Sequence, residues 1–124
     1  MSIMSQADLA DLQSEFEGLK GSHLKGLLIG CGSIVLVFPK ATILVQCSFE
    51  VKDGQRLKEG DGESCDTSVL LIPFLNKHVT YTSVSIRGEA ILEFETGHSI
   101  KIIPDDTGFE AYVLSTPAGV SPVW

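Results

Sequence analysis

The side chains that could do chemistry in this sequence are three histidines, three cysteines and sixteen acidic residues. His23, His78 and His98 lie far apart, and none has a cysteine, an aspartate or a second histidine at the spacing of metal ligands. The sequence contains neither a GxSxG nucleophile motif nor a GxxxxGK phosphate-binding loop. These features predict a protein that is not an enzyme, with no metal, no other cofactor and no catalytic residues.

The cysteines form an odd set without a CxxC pair, and the first residues lack the basic and apolar regions of a secretory signal. We therefore expect reduced thiols and a cytoplasmic protein. Cys31 and Cys47 lie in apolar runs and are expected to be buried. Cys65 lies in a polar stretch and is the expected exposed thiol.

Sixteen acidic and nine basic residues give a net charge of −7, which argues against direct nucleic-acid binding. The charge is clustered: residues 1–22 hold four acids and one base, residues 52–66 five acids and three bases, and residues 89–110 six acids and one base. Clustered acids steer a basic partner, although they also serve solubility. The apolar runs are too short to cross a membrane, so we expect no membrane association.

An amphipathic helix is predicted over residues 5–20, with Ser5 as its N-cap. The apolar residues that recur at helical spacing are Leu9, Leu12, Phe16 and Leu19. This stripe either packs onto a sheet or meets another copy of the chain.

Strands are predicted within residues 26–51, with a bend at Gly30 and Gly32. The segment from Thr42 to Val51 reads as one long strand whose second half alternates apolar and polar residues, so one face of its sheet is expected to be wet. A polar loop of about fifteen residues is predicted over residues 52–66.

A short helix is predicted near residues 67–76, followed by a strand meander over residues 78–115 and an irregular tail over residues 116–124. Within the meander, Thr96-Gly97 predicts a tight hairpin turn. The whole chain, residues 1–124, is expected to be a single α+β domain. It is expected to be mainly antiparallel sheet of about six to seven strands, strongly curved or two-layered, with one N-terminal and one short internal helix.

The segment from Gly88 to Asp105, GEAILEFETGHSIKIIPD, is followed by Phe109-Glu110-Ala111-Tyr112. This hairpin and its aromatic-Glu-Ala-aromatic strand resemble a small uncharacterised bacterial family. Its members include immunity proteins of contact-dependent growth inhibition and polymorphic toxin systems. The resemblance covers about residues 66–120, and Tyr112 stands where the family often has tryptophan.

The resemblance implies a cytoplasmic immunity protein that binds a cognate toxin C-terminal domain, expected to be a basic nuclease, and occludes its active site. The protein is then expected to be a monomer by itself and a heterodimer with the toxin. The acidic residues predicted to contact the toxin are Asp53, Glu59, Asp61, Glu63, Asp66, Glu93, Glu95, Asp105 and Asp106.

Two other functions remain open from the sequence. A sheet covered by a helix could enclose a pocket, which would favour a small-ligand-binding or weakly hydrolytic domain. Hydrolysis by paired carboxylates such as Glu93 and Glu95 would require a cleft that separates their pKa values. Alternatively, the helical apolar stripe would make the protein a self-associating structural subunit.

Overall fold

An N-terminal helix over Gln6–Glu17 (α1) opens the computed structural model, which describes residues 3–105 and 110–124. The Ser5 side chain caps this helix by accepting a hydrogen bond from the Asp8 N–H at 3.1 Å. The predicted N-terminal helix and its cap are confirmed, with an earlier C-terminal end. Among the described residues, no helix is long and apolar enough to cross a membrane.

Ten antiparallel strands form two five-stranded sheets in the described part of the chain. The first sheet contains, in spatial order, β1 (Gly26–Ile29), β2 (Ile34–Phe38), β3 (Ala41–Val45), β9 (Tyr112–Thr116) and β10 (Gly119–Val123). The second sheet contains β5 (Arg56–Asp61), β4 (Ser48–Asp53), β8 (Ser99–Ile103), β7 (Ala90–Phe94) and β6 (Val79–Val84). The predicted α+β fold of antiparallel sheet is confirmed; of the two forms left open, a strongly curved sheet or two layers, the structure has two sheets, and its strands outnumber the six to seven expected.

The chain passes from the first sheet to the second at Gln46 and Cys47. The Gln46 N–H donates to the Ala111 carbonyl at 2.8 Å, and the Cys47 carbonyl accepts from the Gly62 N–H at 2.8 Å. The prediction of one strand from Thr42 to Val51 is therefore wrong. Strand-forming residues run through the whole segment, so only contacts with distant parts of the chain define the break.

Both sheets, α1 and the segment before β6 bury their apolar side chains in one hydrophobic cluster. Phe16 of α1 meets Tyr112 of β9 edge-to-face, with ring centroids 6.0 Å apart. Two hydrogen bonds connect the chain after α1 to β6. The Gly21 N–H donates to the Val79 carbonyl at 2.8 Å, and the Val79 N–H donates to the Ser22 carbonyl at 2.9 Å. The helix therefore packs against an edge strand of the second sheet while contacting the first.

The prediction of a polar loop over residues 52–66 is wrong, because most of this segment belongs to the β4–β5 hairpin. Asp53 pairs with Arg56 across a two-residue turn whose Gly54 has a φ of +62°. The strand β5 lies at the sheet edge and is largely exposed on both faces, so it lacks the apolar alternation that reveals a strand.

The internal helix predicted near residues 67–76 is present as two 3₁₀ helices, Cys65–Leu70 and Ile72–Phe74. Pro73 lies at the start of the second, where its missing N–H leaves no helical hydrogen bond unmade. Asn76 follows with a φ of +66° and directs the chain into β6.

The prediction of an irregular tail over residues 116–124 is wrong, because β10 pairs with β9 across the turn at Pro117 and Ala118. Pro122 is tolerated in β10 because that strand lies at the edge of its sheet. The meander predicted over residues 78–115 holds for β6, β7 and β8, but β9 belongs to the first sheet. Its predicted start at Phe109 lies outside the described residues.

The structure corrects one of the three cysteine expectations. Cys31 is exposed rather than buried, because it lies in the turn between β1 and β2 instead of within a strand. Cys65 is exposed and Cys47 is buried, as predicted. Burial raises the pKa of the Cys47 thiol to about 12, with smaller contributions from Asp105 and Asp61, so this thiol stays protonated at neutral pH.

Replacing Gly62 with alanine tests the passage between the sheets. An alanine Cβ would overlap the Val45 carbonyl oxygen and lie 2.9 Å from the Gln46 nitrogen. Because both are backbone atoms at the crossing, we expect Gly62→Ala to lower the free energy of unfolding by about 1–3 kcal/mol in urea. Gly32→Ala is the matched control, because its Cβ would meet nothing within 4 Å. Equal stability of the two variants would contradict this account.

Candidate functional site

The outer face of the second sheet carries some of the predicted acidic residues, and strand pairing shows which side chains belong to it. Side chains alternate along a strand, and in β4 Phe49 and Val51 are buried whereas Glu50 and Lys52 point outward. Cross-strand pairing extends this outer face over the neighbouring strands. Its other members are Leu57, Glu59, Tyr81, Ser83, Ile91, Glu93, Ser99 and Lys101.

A groove of about 350 Å³ crosses this outer face. Its lining residues are Glu50, Lys52, Leu57, Ile91, Glu93, Ser99 and Lys101. The groove combines carboxylates, ammonium groups and apolar side chains on one open sheet surface, which suits the contact area of a macromolecule.

Two of the predicted toxin-contacting residues, Glu59 and Glu93, lie on this outer face. Glu59 pairs with Glu50 across the β4–β5 register, so two like charges are neighbours there. Lys101 lies on the other side of Glu50, and its Nζ is 3.6 Å from the Glu89 carboxylate. The face therefore carries three glutamates and two lysines, a small excess of negative charge, with the lysines between the acids.

Asp53 and Glu95 lie together at one end of the second sheet. Asp53 is at the β4–β5 turn, and its Oδ1 is 2.8 Å from Nε2 of His98. Glu95 is at the β7–β8 turn, and its Oε1 accepts a hydrogen bond from the His78 N–H at 3.2 Å. These residues bring one acid from the 52–66 cluster and one from the 89–110 cluster to the same rim of the outer face.

Asp61, Glu63 and Asp105 lie towards the opposite end of the sheet. Asp61 is paired with Ser48 at one end of the β4–β5 hairpin, and Asp53 lies at the other end. The two acids are therefore roughly 17 Å apart along the strand direction. The Asp61 carboxylate accepts a hydrogen bond from the Glu63 N–H at 2.9 Å, so it shapes the turn after β5. Asp105 follows β8 at this end.

The two remaining predicted residues do not join the outer face. Asp66 lies in the first turn of a 3₁₀ helix, where its Oδ1 is 3.6 Å from the Cys65 sulfur. Asp106 lies outside the described residues. The nine predicted acids are thus divided between the outer face and the two ends of the sheet, instead of forming one cluster.

Sequence reasoning missed three charged members of the outer face, Glu50, Lys52 and Lys101. The apolar-polar alternation over β4 was the available signal for Glu50, because it already indicated a wet face. The two lysines dilute the acidity locally, and only the strand pairing reveals that they lie between acids from different segments.

Glu95 is an acid of this region whose pKa is shifted by its surroundings. The His78 backbone N–H, and secondarily its ring 3.3 Å away, hold the pKa of the Glu95 carboxyl below its ordinary value. The Glu95 side chain is about half exposed, so this hydrogen bonding orders the turn rather than burying a charge.

A second concave region lies between the start of α1 and β10, with a volume of about 530 Å³. Asp8, Asp11 and Arg87 bring charges to this cleft, and Trp124 forms part of its wall. None of the residues predicted as toxin contacts lines it.

A buried hydrogen bond links β9 to the residue two positions before β7. The Tyr112 hydroxyl donates to the Gly88 carbonyl at 2.8 Å, which joins the start of the β7–β8 segment to its last aromatic residue. Burial raises the pKa of Tyr112 well above its ordinary value, so the hydroxyl keeps its proton. Gly97, with a φ of +84°, forms the predicted hairpin turn.

Comparison of the chain with protein-family models, curated proteins and solved structures gives no match. In the described residues, no group of three or more histidine, cysteine or acidic side chains is arranged to hold a metal ion.

The pH dependence of stability tests the Glu95 interaction. Because the folded-state pKa of Glu95 is depressed, its stabilising effect is present above pH 4.5 and is lost as the pH falls through the folded pKa. We expect the melting-temperature difference between wild type and Glu95→Gln to be largest at neutral pH and to shrink at pH 3. His78→Ala keeps the backbone N–H and should retain most of this pH dependence. A difference independent of pH would contradict the assignment.

Proposed function

We propose that this protein is a cytoplasmic immunity protein that binds the C-terminal domain of a cognate toxin and occludes its active site. The toxin is a basic nuclease of the contact-dependent growth-inhibition type. The observation that carries this proposal is the combination of acidic and exposed apolar side chains on the open outer face of the second sheet.

The acids of the outer face supply electrostatic steering. Glu50, Glu59 and Glu93 lie on it, and Asp53 and Glu95 lie at its rim. A nuclease needs a positive cleft for phosphates, and carboxylates presented on a rigid sheet can occupy such a cleft. Charges of this kind chiefly raise the association rate and select the partner.

The apolar residues of the same face supply anchors for affinity. Leu57 is 58% exposed and Tyr81 47% exposed, and Ile91 lies between them on the face, half-buried. Apolar and aromatic side chains that become buried on binding dominate the energy of protein complexes, whereas rim charges contribute less. Leu57 and Tyr81 lie at opposite edges of the sheet, so a partner that covers both spans the whole face.

The acidic surface of α1 is a weaker candidate. It carries Asp8, Asp11 and Glu17, but no residue of Gln6–Glu17 is an exposed large apolar side chain. The helix therefore offers charge without an apolar anchor of its own, although the exposed Trp124 lies beside Asp8 and Asp11.

The two alternative functions find less support. The apolar stripe of α1 is occupied within the molecule, since Leu12, Phe16 and Leu19 are almost fully buried. A small ligand would use the cleft beside Trp124, where Asp8, Asp11 and Arg87 supply the charges. That cleft lies apart from the acids at the second sheet, so protein binding accounts for more of the charge.

Titration with the C-terminal domain encoded immediately upstream tests the proposal. We expect a one-to-one complex at micromolar concentration and low salt, with an association rate that falls as salt rises. A Glu59→Lys and Glu93→Lys double variant should slow association by about tenfold or more, because it reverses two charges on the outer face.

Asp11→Lys is the control for these charge reversals, because Asp11 is an exposed acid on α1 that lines the cleft beside Trp124 and not the outer face. It should leave the association rate nearly unchanged. Absence of a complex under these conditions would refute the proposed function. A stronger effect of Asp11→Lys than of the double variant would move the binding surface to α1.

A further inference from the structure

The first sheet differs from the second in having no charged residue in any of its five strands. Its inner face is in the core, while its outer face carries a row of apolar side chains across the whole sheet. The members of this row, in cross-strand register, are Leu28, Val35, Leu44, Val113 and Pro122. Leu28 at one end of the row is 63% exposed.

Three of the four sheet edges are protected against pairing with another strand. The edge strand β5 carries Arg56, Lys58 and Glu59, and β10 carries Pro122. The edge of β6 is occupied from within, because the Gly21 N–H donates to the Val79 carbonyl and the Gln13 side chain donates to the Val84 carbonyl.

The remaining edge strand, β1, is four residues long and has none of these devices within it, whereas Leu24 just before it bonds to Lys77 and Asn76. Its sequence Gly26–Ile29 contains neither a charge nor a proline, and in the described residues its one strand neighbour is β2. An uncharged apolar edge strand is a template for pairing with a further strand.

The register of the β1–β2 hairpin shows which backbone groups are free for this pairing. The Gly30 N–H donates to the Ser33 carbonyl at 2.9 Å. Hydrogen-bonded and non-hydrogen-bonded pairs alternate along an antiparallel ladder. The backbone N–H and carbonyl of Leu28, two residues before Gly30, are therefore directed at Val35 of β2. The backbone groups of Leu27 and Ile29 therefore face away from the sheet.

We propose that β1 pairs antiparallel with β1 of a second copy of this chain. The two-fold axis then passes through Leu28, which meets Leu28 of the other copy, while Leu27 and Ile29 exchange hydrogen bonds across it. This self-complementary pairing joins the two apolar rows into one continuous face.

Charge is compatible with this arrangement although each chain carries −7. No charged residue lies in β1, and the register sets Lys25 opposite Cys31 of the other copy instead of opposite a second Lys25. The acidic outer face belongs to the other sheet and stays free. The proposal is therefore independent of toxin binding, and it replaces the sequence-based expectation of a monomer.

Analytical ultracentrifugation of the full chain tests the pairing at concentrations up to about 300 µM, since the interface is small. We expect a reversible dimer. Leu28→Lys and Leu28→Glu should each weaken it by about tenfold or more, because like charges then face each other at the two-fold axis. An equimolar mixture of the two variants should restore the dimer through a Lys–Glu pair.

Val120→Lys is the matched control, because Val120 is 68% exposed and lies on β10, at the far edge of the same sheet. It should leave the dimer intact. A monomeric wild-type chain would overturn the proposal. So would a mixture that stays monomeric, or a loss of the dimer in Val120→Lys equal to that in Leu28→Lys.

Discussion

The passage of the chain between the two sheets at Gln46 and Cys47 is the constraint on which the rest of the structure depends. It puts β3 and β4, which are neighbours in sequence, into different sheets that share one core. The close approach of Gly62 to Val45 makes this passage possible, because no side chain fits between them. Cys47 fills the crossing as a small protonated thiol, which adds no charge to the core.

Because each sheet turns one face inward, each has one outer face, and the two outer faces differ in chemistry. The second sheet presents acids, lysines and a few apolar anchors, with Asp53 and Glu95 held at its rim by hydrogen bonds or ion pairs to histidines. The first sheet has no charge in its strands and ends at the unprotected strand β1. We propose that the two surfaces serve different contacts, one with a basic partner and one with a second copy.

Local patterns predicted the elements that local contacts define. The capped helix and the hairpin at Gly97 are read from residues a few positions apart, and both are present. The passage at Gln46 and the edge strands β5 and β10 depend on distant pairing, so neither apolar alternation nor turn residues revealed them. For the same reason, acids counted along the sequence were expected to cluster, whereas strand pairing separates Asp53 from Asp61.

The central claim is that the outer face of the second sheet is the surface that attracts a basic partner. The most direct measurement is an NMR titration of the isotope-labelled chain with a short lysine- and arginine-rich peptide at low salt. We predict that the chemical-shift changes centre on Glu50, Glu59 and Glu93 and extend to Tyr81. Changes centred on α1, or spread evenly over the molecule, would contradict the claim.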